Sequence, residues 1–350
     1  MKAVEDSNNS VNILTIAKVS FTMVGTLIGA GFASGKEITT FFGCYGSLSY
    51  LIIAIFCVCF AIGIVYLSCI DPNIIPPILK NLMSIAVFIS EVISITAMMA
   101  GLSSILSLIF FNDIPLYLFL FLIFMIIITG MKGLTTTNLI LVPILFVAII
   151  VFGIIGVTSI DTFSLAVINS SSIFKFMSLP LYIGLNLFSI FPIAMEFSKF
   201  QNKKEKIISS ISATSIIFVL MLCFCFTILN KNSTSITSEL PLVIYILNVA
   251  PNLIIVVVMT LAIAITTTII SDGFVLRGII SKWSKRFANI IFTIIFIVAF
   301  LISNFGFSEI VENLYPINGL LGLILITLVI VHSIKQNNKP FVLTKSSNWH

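Results

Sequence analysis

Long apolar runs alternate with short polar breaks along this chain, and within each run hydrophobicity is continuous rather than alternating residue by residue. Continuous runs of about 20 residues predict membrane-spanning helices, whereas a transmembrane barrel needs period-two alternation in shorter segments. Gly, Pro, Asn and charged breaks delimit ten spans, roughly 13–43, 47–69, 81–110, 115–130, 138–157, 178–197, 207–229, 241–271, 288–305 and 313–332. The pattern predicts an all-α membrane protein: a single transmembrane domain over 13–332, with tails at 1–12 and 333–350.

Two of these spans are interrupted. Gly25, Gly29, Gly31 and Gly35 fall within eleven residues of span one, and Gly184 and Asn186 interrupt span six ahead of Pro192. Spans three and eight are both unusually long. The two breaks lie about 155 residues apart and the two long spans start about 160 apart. Five spans followed by five more reverse orientation, so the layout predicts inverted repeats over about 13–157 and 178–332. Paired, interrupted helices at matching positions point to a transporter binding site.

Composition agrees with this layout. The chain is 59% hydrophobic and 9% charged with a mean hydropathy of +1.21, against about 25% charged residues in soluble domains. Ten spans place both termini on one side. Fifteen of the eighteen Lys and Arg residues then share that side, and only Lys36, Lys175 and Lys231 lie opposite. That bias puts both termini in the cytoplasm and accounts for the net charge of +5 without a nucleic-acid partner. The six cysteines lie mostly in apolar runs and form neither a disulfide framework nor a metal-binding pattern.

In span one, Ser34-Gly35-Lys36-Glu37 has the S-x-x-E form of a capping box, with Ser34 starting a new helix and Glu37 bonding back to the Ser34 amide. A helix start inside an apolar segment implies that one helix ends near Gly29 and another begins near Gly35. Backbone freed between them must face protein, water or a ligand. The N–H groups of the second half suit a carboxylate, and the carbonyls ending the first half suit a cation. The blander alternative is that these small residues only permit close helix packing. For span six, a kinked but continuous helix stands as the alternative to unwinding.

Ionisable residues inside spans are few, and each is a functional-site candidate. Glu91 lies about ten residues into span three. It reads as a proton carrier, cation ligand or amine partner, or as part of a structural ion pair. Asp272 falls where span eight should end. Thr266 and Thr267 near that end offer hydroxyls to a hard cation such as sodium, or bond their own helix. Near the second break, Tyr182 and Phe188 add aromatic bulk suited to a small or apolar ligand.

The residues Gly25-Thr26-Leu27-Ile28-Gly29-Ala30-Gly31-Phe32-Ala33-Ser34-Gly35-Lys36-Glu37 resemble the opening signature of the YkvI-like bacterial membrane protein family. That family resembles the amino acid–polyamine–organocation transporters, which share the LeuT-type fold of five plus five spans. The resemblance implies an amino-acid-like solute between spans one and six, lined by spans three and eight. By position it implies that the backbone of Gly29, Ala30, Gly31, Phe32, Ala33 and Ser34 holds a carboxylate. It places Tyr182, Gly184, Asn186 and Phe188 on the facing wall, and Thr266 and Thr267 at a sodium position. Some proton-driven relatives carry a lysine in span five, and residues 138–157 contain none, so the resemblance favours sodium over a proton.

The expected function is secondary active transport of a small amino acid or related zwitterion across the cytoplasmic membrane of a bacterium, coupled to Na+ or H+ and needing no cofactor. The alternative is a non-transporting nutrient sensor or complex subunit on a transporter fold. A membrane enzyme is not expected, because the two histidines, His332 and His350, lie near the C-terminus and no span carries a nucleophile motif.

Overall fold

A computed structural model describes residues 11–108, 110, 114–158, 171–229, 238–303 and 307–337. The expected N- and C-terminal tails lie largely outside this set. The described residues hold seven helices long and apolar enough to cross a membrane, with three shorter apolar helices at Ile13–Leu27, Ile114–Ile128 and Ala288–Ile302. Together they reproduce the ten-span layout.

Span one is built from α1 (Ile13–Leu27), the single turn α2 (Ala30–Ala33) and α3 (Lys36–Phe42). Spans two to five are α4 (Ser49–Cys69), α5 (Pro77–Leu106), α6 (Ile114–Ile128) and α7 (Met131–Thr158). Span six is α8 (Ser172–Phe197) and span seven is α9 (Lys203–Ile228). A separate helix α10 (Pro241–Val249) precedes span eight, α11 (Ile254–Trp283), and α12 (Ala288–Ile302) and α13 (Tyr315–Asn337) complete the set.

The ends are set by short-range chemistry. Asn12 caps α1 by accepting from the Leu14 and Thr15 amides, and its own amide donates to Glu205 Oε1 at 2.8 Å. Glu205 also closes a capping box with Asn202 at the start of α9, so one carboxylate ties the starts of spans one and seven together. Inside the bundle, α1 packs against α7, α8, α9 and α11, while α11 lies along α5 and α13 lies along α8. This puts α1, α5, α8 and α11 around the middle of the bundle, with the break in span one between them.

Two expectations need correction. Span six runs unbroken from Ser172 to Phe197. Asn186 does not unwind it, because its Nδ2 donates to the Tyr182 carbonyl one turn back at 2.8 Å. Gly184 serves close packing instead: a Cβ there would collide with the Gly319 carbonyl and lie 2.7 Å from the Leu323 amide. Span eight also differs. Its expected first part is the separate α10, and α11 continues to Trp283, so Asp272 sits inside the helix and is 3% exposed. The Pro251–Leu253 turn, with proline at its start, separates the two pieces.

Gly184→Val is therefore expected to cost about 1–3 kcal/mol, because backbone of α13 cannot yield to a new side chain. Gly278→Ala, with nothing within 4 Å of the added Cβ, is expected to be neutral or slightly stabilising. Thermal unfolding of detergent-purified variants measures both.

Candidate functional site

The break in span one is shorter than its glycine content predicts. Helix α1 closes with the Ile28 amide bonded to the Val24 carbonyl at 2.9 Å, and Gly29 is extended at φ −91° and ψ −165°. Ala30–Ala33 then form a helical turn, so the stretch expected as an open cradle is open only at Ile28–Gly29. A second bend follows at Gly35, whose φ of +81° lies in the left-handed region that glycine tolerates.

The expected capping box does not form. Ser34 ends α2, its amide donating to the Ala30 carbonyl and its Oγ accepting from the Lys36 amide at 3.3 Å. Glu37 reaches past Ser34 to the Phe32 amide and also accepts from Tyr182 Oη at 3.1 Å. The carboxylate lies against Gly31, where a Cβ would strike it. Tyr182 is fully buried among Phe41, Phe42 and Phe56, with ring centroids 4.8–5.1 Å away. This aromatic cage aims the phenol at Glu37, so Tyr182 positions a carboxylate on the opposite span.

A cavity opens beside the break, with about 430 Å³ of space free of protein atoms, its mouth included. Span one contributes Thr26, Leu27, Gly29 and Glu37. Helix α5 contributes Ser90, Ser94 and Met98; α8 contributes Leu185, Asn186 and Ser189; α11 contributes Thr268; and α13 contributes Tyr315 and Asn318. Of the solute-site residues expected from sequence, Gly29 and Asn186 line it. Gly31 and Tyr182 act on it through Glu37, whereas Gly184 and Phe188 face the packing seam with α13. Among the described residues, no Lys, Arg or His lines it.

Below the cavity floor, α5 meets α11 through acids. Glu91 and Asp272 face each other and are 4% and 3% exposed. Ser94 Oγ donates to Asp272 Oδ2 at 2.5 Å, and Ser94 also lines the cavity. Glu91 was legible as an isolated intramembrane acid; its partner was hidden by the misplaced end of span eight.

Oxygen groups also gather where α1, α7 and α11 cross. Thr268 Oγ1 donates to the Gly25 carbonyl at 3.0 Å. Asn138 is buried with its Nδ2 3.5 Å from Ser271 Oγ, and its Oδ1 has no hydrogen-bond partner. Thr266 and Thr267 donate instead to carbonyls of their own helix, Ala262 and Ala264, at 2.7 and 2.8 Å. The hydroxyl that reaches span one is thus the next in the Thr run. On the other side of the break, Lys36 is buried and pairs with Glu312 at 2.6 Å, while its Nζ also donates to the Ser238 carbonyl at 3.3 Å.

Comparison with known proteins identifies the fold. No family model matches the chain. The Bacillus subtilis (strain 168) protein YyaD, itself uncharacterised, is 24% identical over 327 residues, covering 89% of this chain and 95% of YyaD. Among solved structures, the chain is similar to MHP1, a nucleobase-cation-symport-1 family transporter, in a closed conformation with bromovinylhydantoin bound. The TM-score is 0.59 at 16% identity, over 91% of this chain and 78% of the other. The chain therefore has the helical architecture of a membrane transporter.

Ser94→Ala removes the donor to a buried carboxyl group and is expected to lower stability by about 1–3 kcal/mol. Ser94→Thr, which keeps the hydroxyl, should recover most of the loss. Thermal unfolding of the two variants side by side reads out the difference.

Proposed function

We propose that this chain is a secondary active transporter of a small polar organic solute, working by alternating access about the break in span one. The observation that carries the reading is the cavity at that break, lined by the interrupted helix and by spans three, six, eight and ten of a transporter fold. Its lining of hydroxyl, amide and carboxyl groups among apolar side chains suits a small polar organic solute. Exposed irregular backbone is tolerated at membrane depth only where it faces protein or a cavity, and Gly29 faces this one.

The resemblance of Gly25–Glu37 to the YkvI-like family supports an amino-acid-like solute, and the hydantoin bound by the structural neighbour supports a compact solute rich in N–H and C=O groups. The cation bias supports cytoplasmic termini in a bacterial cytoplasmic membrane. For coupling, the reading assigns a proton to the Glu91–Asp272 pair, because two buried acids face each other there and touch the cavity through Ser94. Sodium at the Gly25–Asn138–Thr268 oxygens, flanked by Thr266 and Thr267, is the other coupling ion considered.

Uptake into proteoliposomes, screened with single solutes under an imposed proton or sodium gradient, tests the reading. Flux driven by a gradient is expected, and absence of flux for every solute and gradient would sink it. Glu91→Gln is expected to flatten the pH dependence of uptake, with little change if sodium alone couples. Gly31→Val, by driving the Glu37 carboxylate from its seat, is expected to abolish solute binding while leaving membrane insertion intact; unchanged transport by this variant would remove the site from the break.

A further inference from the structure

We infer that the transported solute turns an N–H-bearing end toward Glu37, as an ammonium or as a ring or amide N–H, and carries no free carboxylate. The inference rests on the transporter reading of the cavity and narrows its substrate class. Its basis is the position of Glu37, which is buried, lines the cavity and belongs to the interrupted span itself.

Three observations weigh against a carboxylate at the break. Two of the first three amides of the turn after the break are engaged, Phe32 by Glu37 and Ala30 by Met98 Sδ at 3.0 Å. The cation nearest in sequence, Lys36, is turned away and held by Glu312 and the Ser238 carbonyl. Among the described residues, no Lys, Arg or His lines the cavity. A carboxylate arriving there would enter a poorly solvated space whose described lining residues include no cation to offset its charge.

The same geometry invites a donor. A carboxylate offers about four acceptor sites, and Tyr182 Oη and the Phe32 amide use two of them. A solute N–H or ammonium can take another and offset the cost of burying the charge. The remaining polar lining is neutral: Thr26, Ser90, Ser94, Asn186 and Asn318 can each accept from or donate to an uncharged polar end. The Gly31 backbone completes the arrangement, since only a residue without a Cβ leaves the carboxylate in place.

The test uses full-length protein in detergent, thermal stabilisation, and matched probes that differ only at the carboxylate. Alanine is compared with alaninamide and leucine with leucinamide, alongside isoamylamine as an ammonium alone and hydantoin as a neutral N–H ring. An amide, the amine or hydantoin is expected to bind at least about tenfold more tightly than either free amino acid. Isoamylamine without hydantoin identifies an ammonium; hydantoin without isoamylamine identifies a neutral N–H. A free amino acid that binds as tightly as its amide overturns the inference and leaves the transporter standing. If no probe stabilises the protein and none is taken up, the transporter reading and the inference fall together. Glu37→Gln should weaken the preferred probe about tenfold and close the gap between amide and acid; an unchanged gap counts against the role of Glu37. Should that variant not fold, Tyr182→Phe keeps the carboxylate and should keep the discrimination against free acids, so its loss there would equally overturn the inference.

Discussion

A bilayer gives no water to backbone groups released by a broken helix, and much of the centre of this protein follows from how those groups are satisfied. Helix α1 stops at Leu27, and the first turn beyond Gly29 must find partners for its amides. One comes from the chain a few residues on, as Glu37 folds back to the Phe32 amide. That contact sets further requirements. Gly31 can carry no side chain, Gly35 must turn left-handed to bring α3 around, and a buried carboxylate needs a second donor. Tyr182 supplies the donor from span six, and three phenylalanines fix the phenol. Part of the break is thus sealed by the protein, and what remains open is the single extended residue Gly29 beside the cavity.

Span six carries the matching glycine and asparagine yet stays helical, so the two repeats use similar residues for different physics. In span one, glycine makes room for a carboxylate and for a left-handed turn. In span six, Gly184 lets α8 and α13 approach until Cβ atoms would collide, with Gly319 and Gly322 opposite doing the same. Close approach of this kind builds a stiff seam, because van der Waals contact between small residues replaces a hydrophobic drive that lipid cannot supply. An interrupted helix therefore faces a closely packed wall across the cavity.

This division explains what the sequence disclosed. The ten spans were legible because continuous apolar runs have no other stable fate in 350 residues of this composition. The break in span one was legible from Gly29 and its neighbours, and Glu91 from its isolation in an apolar run. The partners were not. Ser34 and Glu37 match a local capping pattern, but a tyrosine 145 residues away competes for the carboxylate and wins. Asp272 looked terminal because the Pro251–Leu253 turn, a poor signal in an apolar stretch, shifts span eight toward its C-terminal side. In the Thr266–Thr268 run the residue reaching span one depends on helix phase, and a shift of one position turns a side chain by about 100°. Each miss is a long-range pairing or a helix rotation, and neither is written in local spacing.

Under the proposed function, the arrangement also bears on coupling. Ser94 belongs to two systems at once, since it lines the cavity and donates to the carboxyl pair of Asp272 and Glu91. A solute that draws the Ser94 hydroxyl toward itself takes a donor from Asp272 and changes the hold of the pair on its proton. Linkage makes this reciprocal: whatever solute binding does to proton affinity, proton binding does to solute affinity by the same factor. The coupling needs no relay across the bundle, because one hydroxyl spans the distance. Glu37 stands outside this loop, held by α2 and α8, and so can select the solute by its N–H groups without carrying the proton that drives it.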